Sequence, residues 1–176
     1  PSAANSFRNQ TYFCGAESQA GLAVLSAHAV ILQNPEDVQR IFPGQQIVVP
    51  GSSLAIPILQ YDCCAGSACF ISPHNDFFSS ERITLLEQYV DLLTIAFEIQ
   101  EFYPLVDINL AMLPLRSQQQ PLLSTLQQRI IDRMLHPVVG GHPFSRLQAE
   151  QQVIKEIEEE LIQFALTVDQ HSGALA

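Results

Sequence analysis

The chain has 176 residues, and 47% of them are hydrophobic, which is enough to bury a core. No apolar run reaches the ~18 residues that a membrane-spanning helix needs, and 8 Lys and Arg against 18 Asp and Glu give a formal net charge of −10. Since a surface of that sign repels the phosphate backbone, composition predicts neither membrane insertion nor direct nucleic-acid binding.

Clusters of Pro, Gly and Gln divide the chain into three parts, residues 1–103, 104–143 and 144–176. The first ten residues are polar and lack the charged and apolar blocks of a signal peptide. We therefore expect a cytoplasmic protein, and the small number of cysteines fits that expectation.

The first part opens with two short helices around a strand. Apolar spacing over residues 21–30 predicts a helix that runs into a strand near Val30, Ile31 and Leu32. Asn34 and Pro35 then begin a helix over residues 38–42. Pro43-Gly44 is expected to end that helix as a turn.

A β-hairpin is predicted next. Residues 47–50 and 54–59 are rich in β-branched side chains, and Tyr61-Asp62 is the turn-like pair before an apolar run over residues 63–71. Pro57 cannot donate to a ladder, so it belongs at an edge or a bulge. Residues 73–76 form a polar loop.

A long helix is predicted to begin after Ser79 or Ser80 and to extend to residue 103. A serine hydroxyl caps its first turn, and Glu81 lies near the positive end of the helix dipole. A first apolar row holds Ile83, Leu86, Val90, Leu93 and Phe97, and a second holds Leu85, Tyr89, Leu92, Ala96 and Ile99. We expect the second row to broaden the buried face, while part of the helix stays open to a partner.

The strand Leu54-Ala55-Ile56-Pro57-Ile58, its hairpin partner and the helix over residues 78–98 resemble, in that order, the C-terminal half of a GAF domain, a signalling module. The resemblance covers about residues 21–101. It implies an α+β fold, with a GAF-like antiparallel sheet flanked by helices and followed by C-terminal helical segments. It also implies a homodimer through the terminal helix. The expected domain core is Leu54, Ile56, Ile58, Phe70, Leu86 and Leu93.

The front of this domain is short or incomplete. Only about 20 residues precede residue 21, fewer than the ~30 that a helix and two strands of ordinary length occupy. A partial sheet would leave an exposed edge, which another chain or the C-terminal helices would have to cover.

The second and third parts are predicted to be helical. Residues 104–143 form a connector in which Pro104 and Pro114 interrupt helices, residues 116–120 are polar, residues 122–135 recover helical spacing, and residues 136–143 are a Pro/Gly hinge. In residues 144–176 an apolar seam comprises Leu147, Ile154, Ile157, Leu161, Phe164 and Val168, broken by Glu150, before a frayed tail from residue 169. This seam fits a coiled coil, a helical hairpin or an amphipathic helix on its own chain. We expect a homodimer or partner-protein contact through these helices.

The cysteines and histidines, which could bind metals or take part in catalysis, do not define a functional site. No two of Cys14, Cys63, Cys64 and Cys69 have zinc-knuckle spacing, and neighbours 63 and 64 point to opposite faces of a strand, so at least one should be core. Packing is favoured over ligation, and any redox role stays open. His28 and His74 lie nearest the expected pocket but favour structural roles. No catalytic residue, metal site or cofactor is predicted, and the cofactor-binding residues are unknown.

Three functions remain open, and the first is a regulatory or sensory module. Such a module would bind a small ligand or a partner domain and transmit the change through its C-terminal helices. The alternative is a ligand-free GAF-like scaffold or assembly subunit. A thiol-dependent reductase ranks third: residues 13–16 resemble a segment of free methionine sulfoxide reductase, but residues 45–53 lack its reactive cysteine. A closed apolar pocket would favour the sensor, and a filled sheet face with an apolar patch outside would favour the scaffold.

Overall fold

The computed structural model describes residues 12–42, 51–135 and 144–172, the last five of these by backbone alone. The fold is α+β, as predicted, with a four-stranded antiparallel sheet, flanking helices and C-terminal helices. The strands are β1 Val30–Leu32, β2 Ser52–Gln60, β3 Cys63–Ser72 and β4 Tyr103–Pro104; the helices are α1 Gln19–Ser26, α2 Pro35–Ile41, α3 Ser80–Leu93, α4 Arg116–Leu123, α5 Leu126–Leu135 and α6 Arg146–Ser172.

The chain divides into two compact units. One, the sheet unit, is Cys14–Ala111, and the other, the helical unit, is Pro1–Phe13 with Met112–Ala176. The predicted three-part division, with boundaries after residues 103 and 143, stays a prediction. The turn at Pro43-Gly44, the strand over residues 47–50 and the hinge over residues 136–143 lie outside the described residues.

The predicted hairpin is confirmed. β2 and β3 pair antiparallel from Ser52 opposite Ser72 to Gln60 opposite Cys63, and the strand order is β1-β2-β3-β4. Tyr61, in the predicted turn, has a φ of 54°. Pro57 lies two residues beyond Ala55, where pairing with β1 ends, and next to a register shift at Ile58/Leu59. This is the edge and bulge position expected for a proline in a strand.

The two faces of the sheet carry different helices. On one face Leu54, Ile56 and Ile58 are buried with Phe78 and with Val90 of α3. On the other, Leu32 of β1 is buried with Val38 and Phe42, from α2 and its C-terminal cap, and α1 contacts β2 and β3. Asn34 caps α2 by accepting bonds from the backbone N–H groups of Glu36 and Asp37.

The expected core is mostly confirmed. Leu54, Ile56 and Ile58 are buried, and Phe70 and Leu86 pack against them while partly buried. The prediction that Leu93 belongs to the core is wrong, because this residue is 42% exposed. It is the last residue of α3, where the chain tightens into a 3₁₀ turn over Thr94–Ala96, and Val90 takes the buried position instead.

The structure corrects the extent and the outer face of the long helix. α3 ends at Leu93 and not at residue 103, and short 3₁₀ turns follow at Thr94–Ala96 and Ile99–Glu101. The second apolar row does not broaden the buried face, since all its members are exposed: Leu85, Tyr89, Leu92, Ala96 and Ile99. A helix lying on a sheet buries one stripe, and here that stripe is centred on Leu86 and Val90.

The helical unit is built on α5 and α6. Its core holds Ile130 of α5 and Ala149, Val153, Ile157 and Leu161 of α6, so the buried stripe of α6 advances in steps of four residues. Arg129 pairs with Glu160 and Arg133 with Glu156, which makes α5 and α6 antiparallel. The helical hairpin was one of the alternatives that the sequence left open.

The predicted seam of α6 is only partly right. Ile157 and Leu161 are buried, but Leu147, Ile154 and Phe164 are exposed, and the Val168 side chain lies outside the described residues. Backbone helix continues to Ser172, past the expected onset of fraying at residue 169. Residues 116–120, expected to be a polar connector, belong to α4.

Candidate interaction surface

α3 presents an exposed apolar row, which we call the outer row and define as Leu85, Tyr89 and Leu92. Their side chains are 52%, 57% and 61% exposed. Since each helical residue turns by about 100°, these three lie within about 60° of one another around the helix. The row therefore forms one continuous stripe.

Local structure fixes the start of this helix. The Ser79 hydroxyl accepts a bond from the backbone N–H of Arg82 at 3.5 Å. The Arg82 guanidinium donates to the Phe77 carbonyl at 2.6 Å and lies 4.2 Å from the centre of the Phe77 ring. Phe77 and Phe78 meet edge to face, with Phe78 in the core. The outer row thus stands on a helix anchored at its N-terminus.

The apolar surface continues beyond α3. Leu93 and two residues of the following turns, Ile95 and Ile99, are also exposed. Single exposed apolar side chains are normal on a protein surface, but a contiguous group marks an interaction site.

The outer row is separated from the acidic residues of the same helix. Glu87 and Asp91 lie more than about 100° around the helix from its centre. Glu81 is the exception, because helical spacing places it on the same side as Leu85, one turn nearer the N-terminus. By the same spacing Arg82 flanks the other side of the row, with its guanidinium over the Phe77 ring. The surface is therefore apolar along α3 and charged at its N-terminal end.

The described residues include two concave surfaces that are open to solvent and bear on the candidate surface or on the helical unit. One, of about 450 Å³, lies beside the outer row and is lined by Ser80, Glu81, Thr84, Leu85 and Gln88. The other, of about 250 Å³, is lined by Arg129, Asp132, Arg133 and Glu156 on the α5–α6 hairpin. The sheet face under α3 is filled by side chains of the core.

The cysteines do not come together. Cys63, Cys64 and Cys69 all lie on β3. Cys64 is buried, which confirms that one of the neighbouring pair is core, and its thiol donates to the Gly66 carbonyl at 3.3 Å. Desolvation raises the pKa of the Cys64 thiol and that of Cys69. A raised pKa disfavours the thiolate that a reductase would need.

Other sites for chemistry are sparse in the described part of the chain. His28 and His74 are exposed, and no three His, Cys, Asp or Glu side chains among the described residues gather as a metal site. None of the described helices is both long and apolar enough to cross a membrane.

Gln119 is a structural residue that the sequence did not reveal. Its side chain, 2% exposed, donates to the Phe13 carbonyl at 3.1 Å and to the Pro114 carbonyl at 2.9 Å, and accepts from the Phe13 N–H at 2.9 Å. Three bonds from one amide hold Phe13 against the core of the helical unit. A run of three glutamines carries no signal for which one is buried.

Comparisons with protein-family models, with curated proteins and with solved structures found no match to this chain.

Proposed function

We propose that this chain is a GAF-like assembly module that self-associates through the outer row of α3. The observation that carries the proposal is the contrast between the two sides of α3. One side fills the sheet face with Leu86 and Val90, while the other presents Leu85, Tyr89 and Leu92 to solvent. This is the arrangement expected of a scaffold subunit.

Charge supports an antiparallel pairing of two α3 helices. If the two-fold axis crosses α3 near residues 88 and 89, Leu85 of one copy lies opposite Leu92 of the other. Glu81 then lies beyond the C-terminal end of the other copy's α3, which stops at Leu93, whereas a parallel pairing would place the two Glu81 carboxylates together. The antiparallel arrangement therefore avoids like-charge repulsion in a chain of net charge −10.

The concave surface beside Leu85 is open to solvent in the single chain. Its lining residues, Ser80, Glu81, Thr84, Leu85 and Gln88, all belong to α3, so a second copy packed on the outer row would cover it. Because three residues are far fewer than the 20–30 a side of a standard interface, the outer row would be its centre. Leu93, Ile95 and Ile99 would extend it.

Regulation is a second part of the proposal. A partner or ligand that favours one packing of α3 would change the fraction of assembled chains, which is a population shift. The small-molecule sensor and the cytoplasmic location stay predictions, as does the absence of enzymatic activity.

The test is Leu92→Glu in the full chain, measured by sedimentation velocity over a range of protein concentrations. A charge placed in the centre of an apolar interface loses its water without gaining a partner. We expect self-association to weaken by about tenfold or more, equivalent to about 1.4 kcal/mol.

The matched control is Val106→Glu, which changes a 92% exposed apolar residue of the same unit away from α3. It adds the same charge and should leave self-association unchanged. The proposal fails if Leu92→Glu and Val106→Glu sediment alike, or if the unaltered chain is monomeric at every concentration.

A further inference from the structure

The outer edge of β3 is a second surface with a defined chemistry. β4 pairs with β3 at Cys63 and Cys64 and no further, and β2 occupies the opposite side. From Ala65 to Ser72, no described strand lies along the outer edge. At Gly66 a Cβ atom would meet no heavy atom within 4 Å, so the face of the strand is uncovered at this residue.

Pro57 reveals which backbone groups point out of this edge. Opposite residues of an antiparallel pair alternate between exchanging two N–H···O bonds and exchanging none. Pro57 lies opposite Ser67 and has no N–H, and pairing of β2 with β1 has already ended at Ala55, so the register that leaves no ladder bond unmade is the one in which Pro57 faces the open β1 side and exchanges no bonds with Ser67. The N–H and C=O of Ser67 therefore point away from β2, and by the two-residue period so do those of Cys69 and Ile71.

The edge also lacks the usual protection against pairing. Native edge strands carry lysines, prolines or inward charges that discourage another strand. From Cys63 to Ser72 there is no charged residue and no proline. Cys69 and Ile71 are exposed, and Ile71 is 55% exposed.

We propose that the β3 edge takes a second copy of this chain, with two β3 strands antiparallel about a two-fold axis through Cys69. This register places Ser67 opposite Ile71 of the second copy and Ala68 opposite Phe70 of the second copy. On each face a small side chain meets a large one, so the edge is complementary to itself.

Hydrogen bonding and charge fit the same register. The two Cys69 residues exchange one pair of backbone hydrogen bonds. Ser67 and Ile71 of the other copy exchange a second pair, and the symmetry-related residues exchange a third, which gives about six bonds in all. Although the chain carries a net charge of −10, the paired segments are neutral. The paired segments of two copies can therefore approach each other without like charges facing one another.

Together with the outer row, the edge would give each chain two separate self-complementary surfaces. Two such surfaces extend assembly beyond a dimer, to a closed tetramer or an open chain of subunits. The edge proposal does not need the α3 proposal, because either surface alone gives a dimer.

The first experiment compares masses in solution. Ile71→Lys places a positive charge on the edge at an exposed site, with Val106→Lys as the control for the added charge. We expect the unaltered chain to exceed a dimer, Ile71→Lys and Leu92→Glu each to give dimers, and the double variant to be monomeric. If Ile71→Lys and Val106→Lys have the same mass distribution as the unaltered chain, the edge proposal is overturned, whatever Leu92→Glu does.

The second experiment tests the register. In a full chain whose other cysteines are replaced by Ser or Ala, a short bifunctional maleimide should join two Cys69 thiols, since opposite residues of a bonded antiparallel pair have Cα atoms about 5.5 Å apart. A matched chain that keeps only Cys63, six residues from the axis, should cross-link at least tenfold more slowly. Equal yields at the two positions, or none at Cys69, would refute pairing centred on Cys69.

Discussion

The two longest helices among the described residues, α3 and α6, have different surroundings. Each carries more than one apolar stripe. In α6 the stripe Ala149, Val153, Ile157 and Leu161 is buried in a unit that also contains α5, and ion pairs join the two helices. In α3 one stripe is buried on the sheet and the other, Leu85, Tyr89 and Leu92, is exposed. Helical periodicity shows how many apolar faces a helix has, but the rest of the fold decides which of them is buried.

The largest expected effect comes from breaking the buried stripe of α6. Ile157→Ala removes a fully buried side chain and leaves a cavity. It should lower the free energy of unfolding of the helical unit by about 2–5 kcal/mol. Urea denaturation followed by far-UV circular dichroism, with the α6 residues followed by amide hydrogen exchange, measures this change.

The corresponding change on the outer row is Leu92→Ala. Because Leu92 is exposed, this substitution should alter the stability of the dissociated chain by no more than about 0.5 kcal/mol. Comparing the two variants at a concentration below self-association separates folding from assembly. A loss at Leu92 as large as that at Ile157 would mean that the outer row is part of the folding core.

A further loss of stability in the helical unit is expected at Gln119, which sharpens the contrast because the helical unit buries an amide where α3 exposes apolar groups. Gln119→Ala leaves the N–H and C=O of Phe13 and the C=O of Pro114 without this partner. Each of these polar groups that stays buried without a hydrogen bond, including one to water, costs about 1–3 kcal/mol. Urea denaturation should show the loss, and Gln120→Ala, at an exposed neighbour, should show little. Similar midpoints for both variants would contradict a structural role for the Gln119 amide.

Local signals in the sequence were sufficient for much of the sheet unit. Asn34 and Pro35 begin α2, Ser79 caps α3, and Tyr61-Asp62 turns the hairpin, all as predicted. Each depends on backbone geometry or capping within a few residues. The core positions Leu54, Ile56 and Ile58, expected from the GAF-like strand, are buried.

Features that depend on distant residues were missed or wrong. Ala149 and Val153 were not expected in the core of α6, because their burial depends on where α5 packs. The end of α3 at Leu93 and the exposure of the second row also depend on the sheet beneath. For the candidate surface, the sequence identified the apolar residues of the outer row but predicted that they would be buried, whereas they are exposed. The open β3 edge was anticipated only as a general consequence of a short domain.

The smallest expected effect is the pH dependence of the hairpin in the helical unit. Arg129 donates to both carboxylate oxygens of Glu160, at 2.6 and 3.0 Å, and these bonds lower the pKa of Glu160. A carboxyl whose pKa is lower in the folded state stabilises the fold above its unfolded pKa of about 4.3, and loses that contribution as the pH falls through the folded value. Since both side chains are partly exposed, the pair should contribute only about 0.2–1 kcal/mol. Unfolding free energies measured from about pH 6 to pH 3 should therefore fall slightly more steeply for the unaltered chain than for Glu160→Gln, and high salt should reduce the difference. Parallel curves would show that the Arg129–Glu160 pair contributes nothing to the stability of the hairpin, which the Ile157 stripe and the Arg133–Glu156 pair would then maintain.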